Sequence, residues 1–172
     1  MNVSLLTPTT DLQEEYLDFY NEWKDSGETM IPWVISKNPA NFPAMVQELL
    51  DAHNGINIPE TWVPDSTYWL VTDENKILGA VNIRHSLTEH LFNAGGHIGY
   101  GIRPSERRKG YATKLLALSL EKTKELDITK VLVVCDAVNT ASDKTILHNG
   151  GLRDDDFTEE DGNVVRRYWI EL

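Results

Sequence analysis

Six consecutive residues, Arg107, Arg108, Lys109, Gly110, Tyr111 and Ala112, form the segment of this chain best suited to chemistry. They follow an apolar, glycine-bearing stretch (Gly99, Tyr100, Gly101, Ile102, Arg103, Pro104) and lead into an amphipathic run (Thr113, Lys114, Leu115, Leu116, Ala117, Leu118). A strand that turns through a basic glycine loop into a helix directs free amide N–H groups and the positive end of the helix dipole at one point. That is an anion cradle. Gly110 lets a bulky ligand approach the backbone where a Cβ would clash, and the small Ala112 serves the same end. The expected occupant is the pyrophosphate of a cofactor. Alone the pattern is loose; a strand before it, a helix after it and a consistent fold around both give it weight.

The elements that must position the loop can be read along the chain. Residues 3–6 read as a short strand ended by Pro8, and residues 11–28 as a helix with Thr10 or Asp11 as cap. A Pro-rich segment, 30–43, precedes a second helix over 42–53 that stops near Asn54 and Gly55. Residues 68–72 and 77–85 form a strand–turn–strand unit, with Gly79 marking a bulge or a close approach. A connector (87–96) leads to a strand over 97–102, the cradle, and a helix over 110–126. The near-continuous apolar run 130–135 is expected of a strand buried on both faces. A short helix over 140–149 ends at Gly150 and Gly151, and Leu152 with residues 164–171 make a last hairpin. No repeat or linker divides residues 1–172, so one domain is expected.

Composition narrows the function classes. Sixteen basic against twenty-seven acidic residues give a formal net charge of −11, which argues against a nucleic-acid backbone as partner. The basic cluster 103–109 is where the cradle lies. An acidic body around a local basic pocket suits a phosphorylated cofactor combined with an amine substrate, and equally suits ordinary solubility. The single Cys135 fits a reducing compartment, and no apolar run approaches the roughly 18 residues of a membrane span. A cytoplasmic protein is the expectation.

This order of elements resembles the GCN5-related N-acetyltransferase (GNAT) superfamily. Its acetyl-CoA signature, Gln or Arg, two residues, Gly, one residue, Gly or Ala, is matched by Arg107, Gly110 and Ala112. A second signature, an Asn after strand five with a small residue three later, is matched by Asn139 and Ser142. The match covers roughly residues 68–172, and the stretch 97–112 is similar to a bacterial branch of predicted acetyltransferases. The resemblance implies an α/β fold with a mixed, mostly antiparallel twisted sheet of about six to seven strands. Helices flank it, and strands four and five splay apart. It implies that pantetheine pairs with strand four as a pseudo-strand, with Ile102 the candidate contact. The amides from Arg107, Arg108, Lys109, Gly110, Tyr111, Ala112 and Thr113 would hold the pyrophosphate, and Asn139 and Ser142 would bond pantetheine. Asn139 has the alternative of being a plain helix cap.

The family's usual catalytic groups are missing. Residues 95–102 contain no carboxylate, and the position of the usual Tyr, seven after Asn139, is Ile146. Candidate bases are His97 and His85, with Glu89 and His90 in the connector between them; Tyr100 is a further candidate. Against each stands a structural role: a core or exposed histidine, or a packing aromatic. Cys135 reads as a core residue. Trp33, Trp62 and Trp69 wall an acceptor cavity or belong to the core. The acidic hairpin 154–161 draws cationic acceptors or is a solvated turn.

These readings predict transfer of an acetyl group from acetyl-CoA to a primary amine, on a small molecule or a peptide or protein N-terminus, by direct attack in a ternary complex. No metal is expected, and a homodimer is compatible. The alternative is a non-catalytic acyl-CoA-binding or sensor module, motivated by the missing Glu and Tyr.

Overall fold

The structure, a computed structural model, describes all 172 residues. One sheet runs through the chain, in the order β1 (Val3–Leu6), β2 (Asp65–Thr72), β3 (Ile77–Arg84), β4 (Ile98–Ile102), β5 (Lys130–Asp136), β8 (Val164–Glu171) and β6 (Leu152–Arg153). A second two-residue strand, β7 (Phe157–Thr158), also pairs with β8, so the sheet has eight strands rather than six or seven. The surplus lies at the C-terminal end, where the expected hairpin breaks into two short pieces on one long strand.

Two helices, α1 (Gln13–Asp25) and α2 (Phe42–His53), cover one face. Tyr16, Phe19 and Trp23 from α1 and Met45, Val46 and Leu49 from α2 pack there with Trp69, Val71, Ile77 and Ala80. Trp69 is fully buried in this core, so it walls no cavity. A short 3-10 turn precedes α1, and Thr9, not Thr10 or Asp11, caps it by accepting from the Asp11 amide. Asn41 caps α2 through the Ala44 amide. The opposite face carries α3 (Tyr111–Glu125) and α4 (Thr140–His148) over Leu70, Leu78, Val81, Ile98, Ile102, Val131 and Val133. Cys135 lies in that core, and burial pushes its thiol up to about 11.

All neighbouring strands pair antiparallel except β4 and β5, which run parallel and meet at one position, Ile98 with Val133. Beyond it they diverge. A parallel pair requires a crossover, here α3, and the loop feeding α3 therefore stands at the open end of the wedge.

Candidate active site

The wedge is built from β4 upward. Strand alternation puts Ile98 and Ile102 in the α3-side core. Gly99 and Gly101 face the α1 side, where a Cβ on Gly101 would fall on the Ile31 carbonyl and within 2.7 Å of the Trp23 ring. The segment between α1 and α2 is thus seated directly on β4, which a side chain at position 101 would prevent. Cross-strand pairing with β3 leaves the N–H and C=O groups of Tyr100 and Ile102 facing the wedge. The Ile102 carbonyl accepts from Arg107 Nε at 3.0 Å.

At the mouth, Arg108 (φ 61°) and Gly110 (φ 84°) take left-handed conformations that turn the chain into α3. The amide N–H groups of residues 108–113 have no acceptor within the protein. Six successive unpaired donors at a helix N-terminus suit an anion such as a pyrophosphate.

The basic side chains around this row have a different role from the one their sequence suggests. Arg103 is buried, donating to Asp18 and Glu22 of α1 and to the Ile77 carbonyl. Arg107 pairs with Glu28 at 2.6 Å and lies over the Trp23 ring. Lys109 pairs with Glu106. Of the four basic residues in 103–109, Arg108 alone forms no ion pair. The backbone supplies the cradle, while Arg103 and Arg107 clamp α1 to it.

Across the wedge, Asn139 caps α4, its Oδ1 accepting from the Ser142 amide at 3.1 Å. Its side-chain NH2 makes no bond within the protein. The Ser142 hydroxyl meets the Tyr100 hydroxyl at 2.8 Å, so Tyr100 reaches across from β4 to α4. Burial pushes Tyr100 up to about 12, against an opposing hydrogen bond from Ser142. Ile146 is fully buried in the core beneath α4.

A match to the acetyltransferase (GNAT) domain model spans residues 5–151. The chain belongs to the GNAT acetyltransferase family. Its sheet, crossover and wedge are those of an acetyl-CoA-dependent N-acetyltransferase domain. No curated protein sequence shows significant similarity to it. Among solved structures it is similar to the microcin C7 self-immunity acetyltransferase MccE in complex with acetyl-CoA and AMP. There the identity is 16% and the TM-score 0.68, with 99% of this chain and 92% of that one covered. The ribosomal L7/L12 α-N-protein acetyltransferase RimL in complex with coenzyme A is 15% identical, with TM-score 0.72 and coverage of 100% and 95%. A single-residue mutant of the spermidine N-acetyltransferase SpeG from Vibrio cholerae is 14% identical, with TM-score 0.62 and coverage of 99% and 95%. At these identities the likeness is one of fold.

In this GNAT domain the candidate histidines have hydrogen-bond partners different from those of Tyr100. His97, just before β4, is buried, and its Nδ1 accepts the Leu132 amide at 2.9 Å. That bond places its proton on Nε2 and leaves no ring lone pair, so His97 ties β4 to β5 instead of taking protons. Burial and then the Arg84 charge push it down to about 4. His85, just after β3, is half-buried, with Nε2 2.7 Å from Ser66 Oγ. Ser66 Oγ is also 2.6 Å from Nδ1 of His53, an exposed residue at the end of α2. Burial, with the neighbouring His53, lowers His85 and keeps it neutral with Nδ1 free. No sequence pattern signals this His–Ser–His unit, because its members are 13 and 19 residues apart. Glu89 and His90 are exposed in the connector, ahead of a π-helical turn, Leu91–Gly95.

Proposed function

We propose that this domain transfers the acetyl group of acetyl-CoA to a primary amine, on a small molecule or a peptide N-terminus, by direct attack in a ternary complex. The row of six unpaired amides over residues 108–113, standing at the mouth of the β4–β5 wedge, carries this reading. Those amides hold the pyrophosphate. The wedge-facing backbone of Tyr100 and Ile102 pairs with pantetheine, and the free amide of Asn139 donates to it from the other wall. Acetyl-CoA supplies an activated acyl carbon and a thiolate leaving group.

The amine nitrogen bonds to the acyl carbon as the C–S bond breaks. His85 takes the amine proton through its free Nδ1, and Ser66 passes the charge change on to exposed His53. The Tyr100 hydroxyl, kept protonated by burial and aligned by Ser142, donates to the departing thiolate. Holding the two reactants in one wedge supplies much of the acceleration. A second reading, a non-catalytic acyl-CoA sensor, is favoured by the lack of a carboxylate on β4 and by Ile146. Thiol release from acetyl-CoA against a panel of amines separates the two. Acceptor-dependent release supports the enzyme; tight CoA binding with no release for any amine supports the sensor.

A further inference from the structure

A buried polar patch lies on the α1 face of the sheet, away from the CoA cradle. Asp65 of β2 stands opposite Arg84 of β3, with Thr67 and Asn82 the next cross-strand pair on that face. Asp65 is 7% exposed and Asn82 is fully buried. Asn82 Nδ2 donates to Asp65 Oδ1 at 2.6 Å and to Thr67 Oγ1 at 3.2 Å, while Asn82 Oδ1 has no donor. A buried carbonyl left without a donor is destabilising, so an orphan here calls for an explanation.

Arg84 has a matching surplus. Although partly exposed, its guanidinium makes one hydrogen bond, to the Gly95 carbonyl at 3.2 Å. It lies over Gly99 of β4, where a Cβ would meet Nη2 at 3.2 Å. Arg84 and Asp65 are cross-strand partners of opposite charge, yet they close no ion pair. Two facing charges, each with unused hydrogen-bonding capacity, beside the central strand of the transfer site, are complementary to a ligand that carries both charges itself. Trp33 and Trp62 form an edge-to-face pair, ring centroids 5.0 Å apart and 40% and 48% exposed. Along the chain, Trp62 is three residues from Asp65, and Trp33 is two from Ile31, whose carbonyl a Cβ on Gly101 would meet.

We infer that this patch is the acceptor site and that it selects a zwitterionic amine, an α-amino acid with an apolar side chain. Resting on the acetyltransferase reading above, the inference names its substrate class. The ammonium group donates to the free Asp65 oxygen and to Asn82 Oδ1, the carboxylate takes the unused donors of Arg84, and the side chain lies on the Trp33–Trp62 pair. His85 directly follows Arg84 in the chain, and its ring meets Ser66, the residue next to Asp65 in β2.

The test is acetyl-CoA thiol release with L-tryptophan and L-leucine, compared with tryptamine and isoamylamine, which lack only the carboxylate. A charged hydrogen-bonded pair contributes about 1.5–3 kcal/mol, so kcat/KM should favour each amino acid by at least about tenfold. Arg84→Met should erase that ratio, and Arg84→Lys should restore part of it, a pattern that loss of folding cannot mimic. Equal turnover of amino acid and decarboxylated amine, or an Arg84→Met ratio unchanged from wild type, overturns the inference and leaves the acetyltransferase reading standing. No thiol release with any amine overturns both.

Discussion

Replacing Arg103 with Met should weaken the protein by about 2–3 kcal/mol, and the figure follows from its surroundings. The side chain is 3% exposed, with Nη2 on Asp18 and Nε on Glu22 at 2.7 Å each, and Nη1 on the Ile77 carbonyl at 3.1 Å. Removing one partner of a fully buried ion pair costs about 3–5 kcal/mol, chiefly because the other charge is stranded. Here the stranding is partial. Asp18 is 70% exposed and rehydrates, whereas Glu22 at 27% keeps only the Ser105 amide as donor. Methionine refills most of the aliphatic stem, which brings the cost to the lower value. For a domain of this size, where each kcal/mol shifts Tm by about 2–4 °C, the fall should be about 4–12 °C. Urea denaturation and thermal melts check it. Because Arg103 fixes α1 to the segment leading into the cradle, the KM for acetyl-CoA should rise as well. A stability loss below about 1 kcal/mol would show that the Asp18–Arg103–Glu22 cluster is not the clamp described.

The same cluster sets an acid limit. Burial alone would raise the Glu22 carboxyl, but hydrogen bonds from Arg103 and Ser105 outweigh it and bring the group to about 2. Its folded pKa lies below the unfolded value of about 4.3, so its stabilisation is complete above that pH and lost as pH falls toward 2. Wild-type Tm should drop faster than that of Glu22→Gln in that window, and parallel curves would contradict the assignment. Gly101→Ala forces a methyl group against the Ile31 carbonyl and the Trp23 ring, an overpacking cost of about 1–3 kcal/mol by denaturation. Gly110→Ala meets no atom within 4 Å and strains only a left-handed φ, so it should cost less; the reverse order would argue against the packing described. With His85 as base and its pKa lowered by burial, kcat/KM should fall as pH drops through values below about 6.5. His85→Gln should abolish that limb, and an unchanged pH profile would remove His85 from the mechanism.

The parts of the site that are legible in the sequence are the local ones. A glycine turn between an apolar strand and an amphipathic helix is written in contiguous residues, and the left-handed Gly110 followed by α3 matches it. Asn139 is likewise a local feature, a helix cap read from its place before α4. What escapes depends on contacts distant in the chain. β2 begins at Asp65, three residues before the expected start, because Asp65, Ser66 and Thr67 are polar yet buried, bonded to Asn82 and to the two histidines. No hydropathy pattern marks such a strand. The basic cluster suggests a positively charged pocket, but carboxylates 81 and 79 residues earlier neutralise Arg103 and Arg107. His97 reads as a base in the sequence, whereas the Leu132 amide, 35 residues away, occupies its lone pair.

The most direct test of the CoA cradle is residue-resolved amide hydrogen exchange over residues 108–113, with and without saturating acetyl-CoA. Those six amides have no acceptor within the protein and should exchange fast in the free domain. They should slow markedly in the complex, where pyrophosphate oxygens accept from them. Saturation by acetyl-CoA with these amides still exchanging at their free rates would contradict the account, because the donor would then be held somewhere other than the β4–α3 turn.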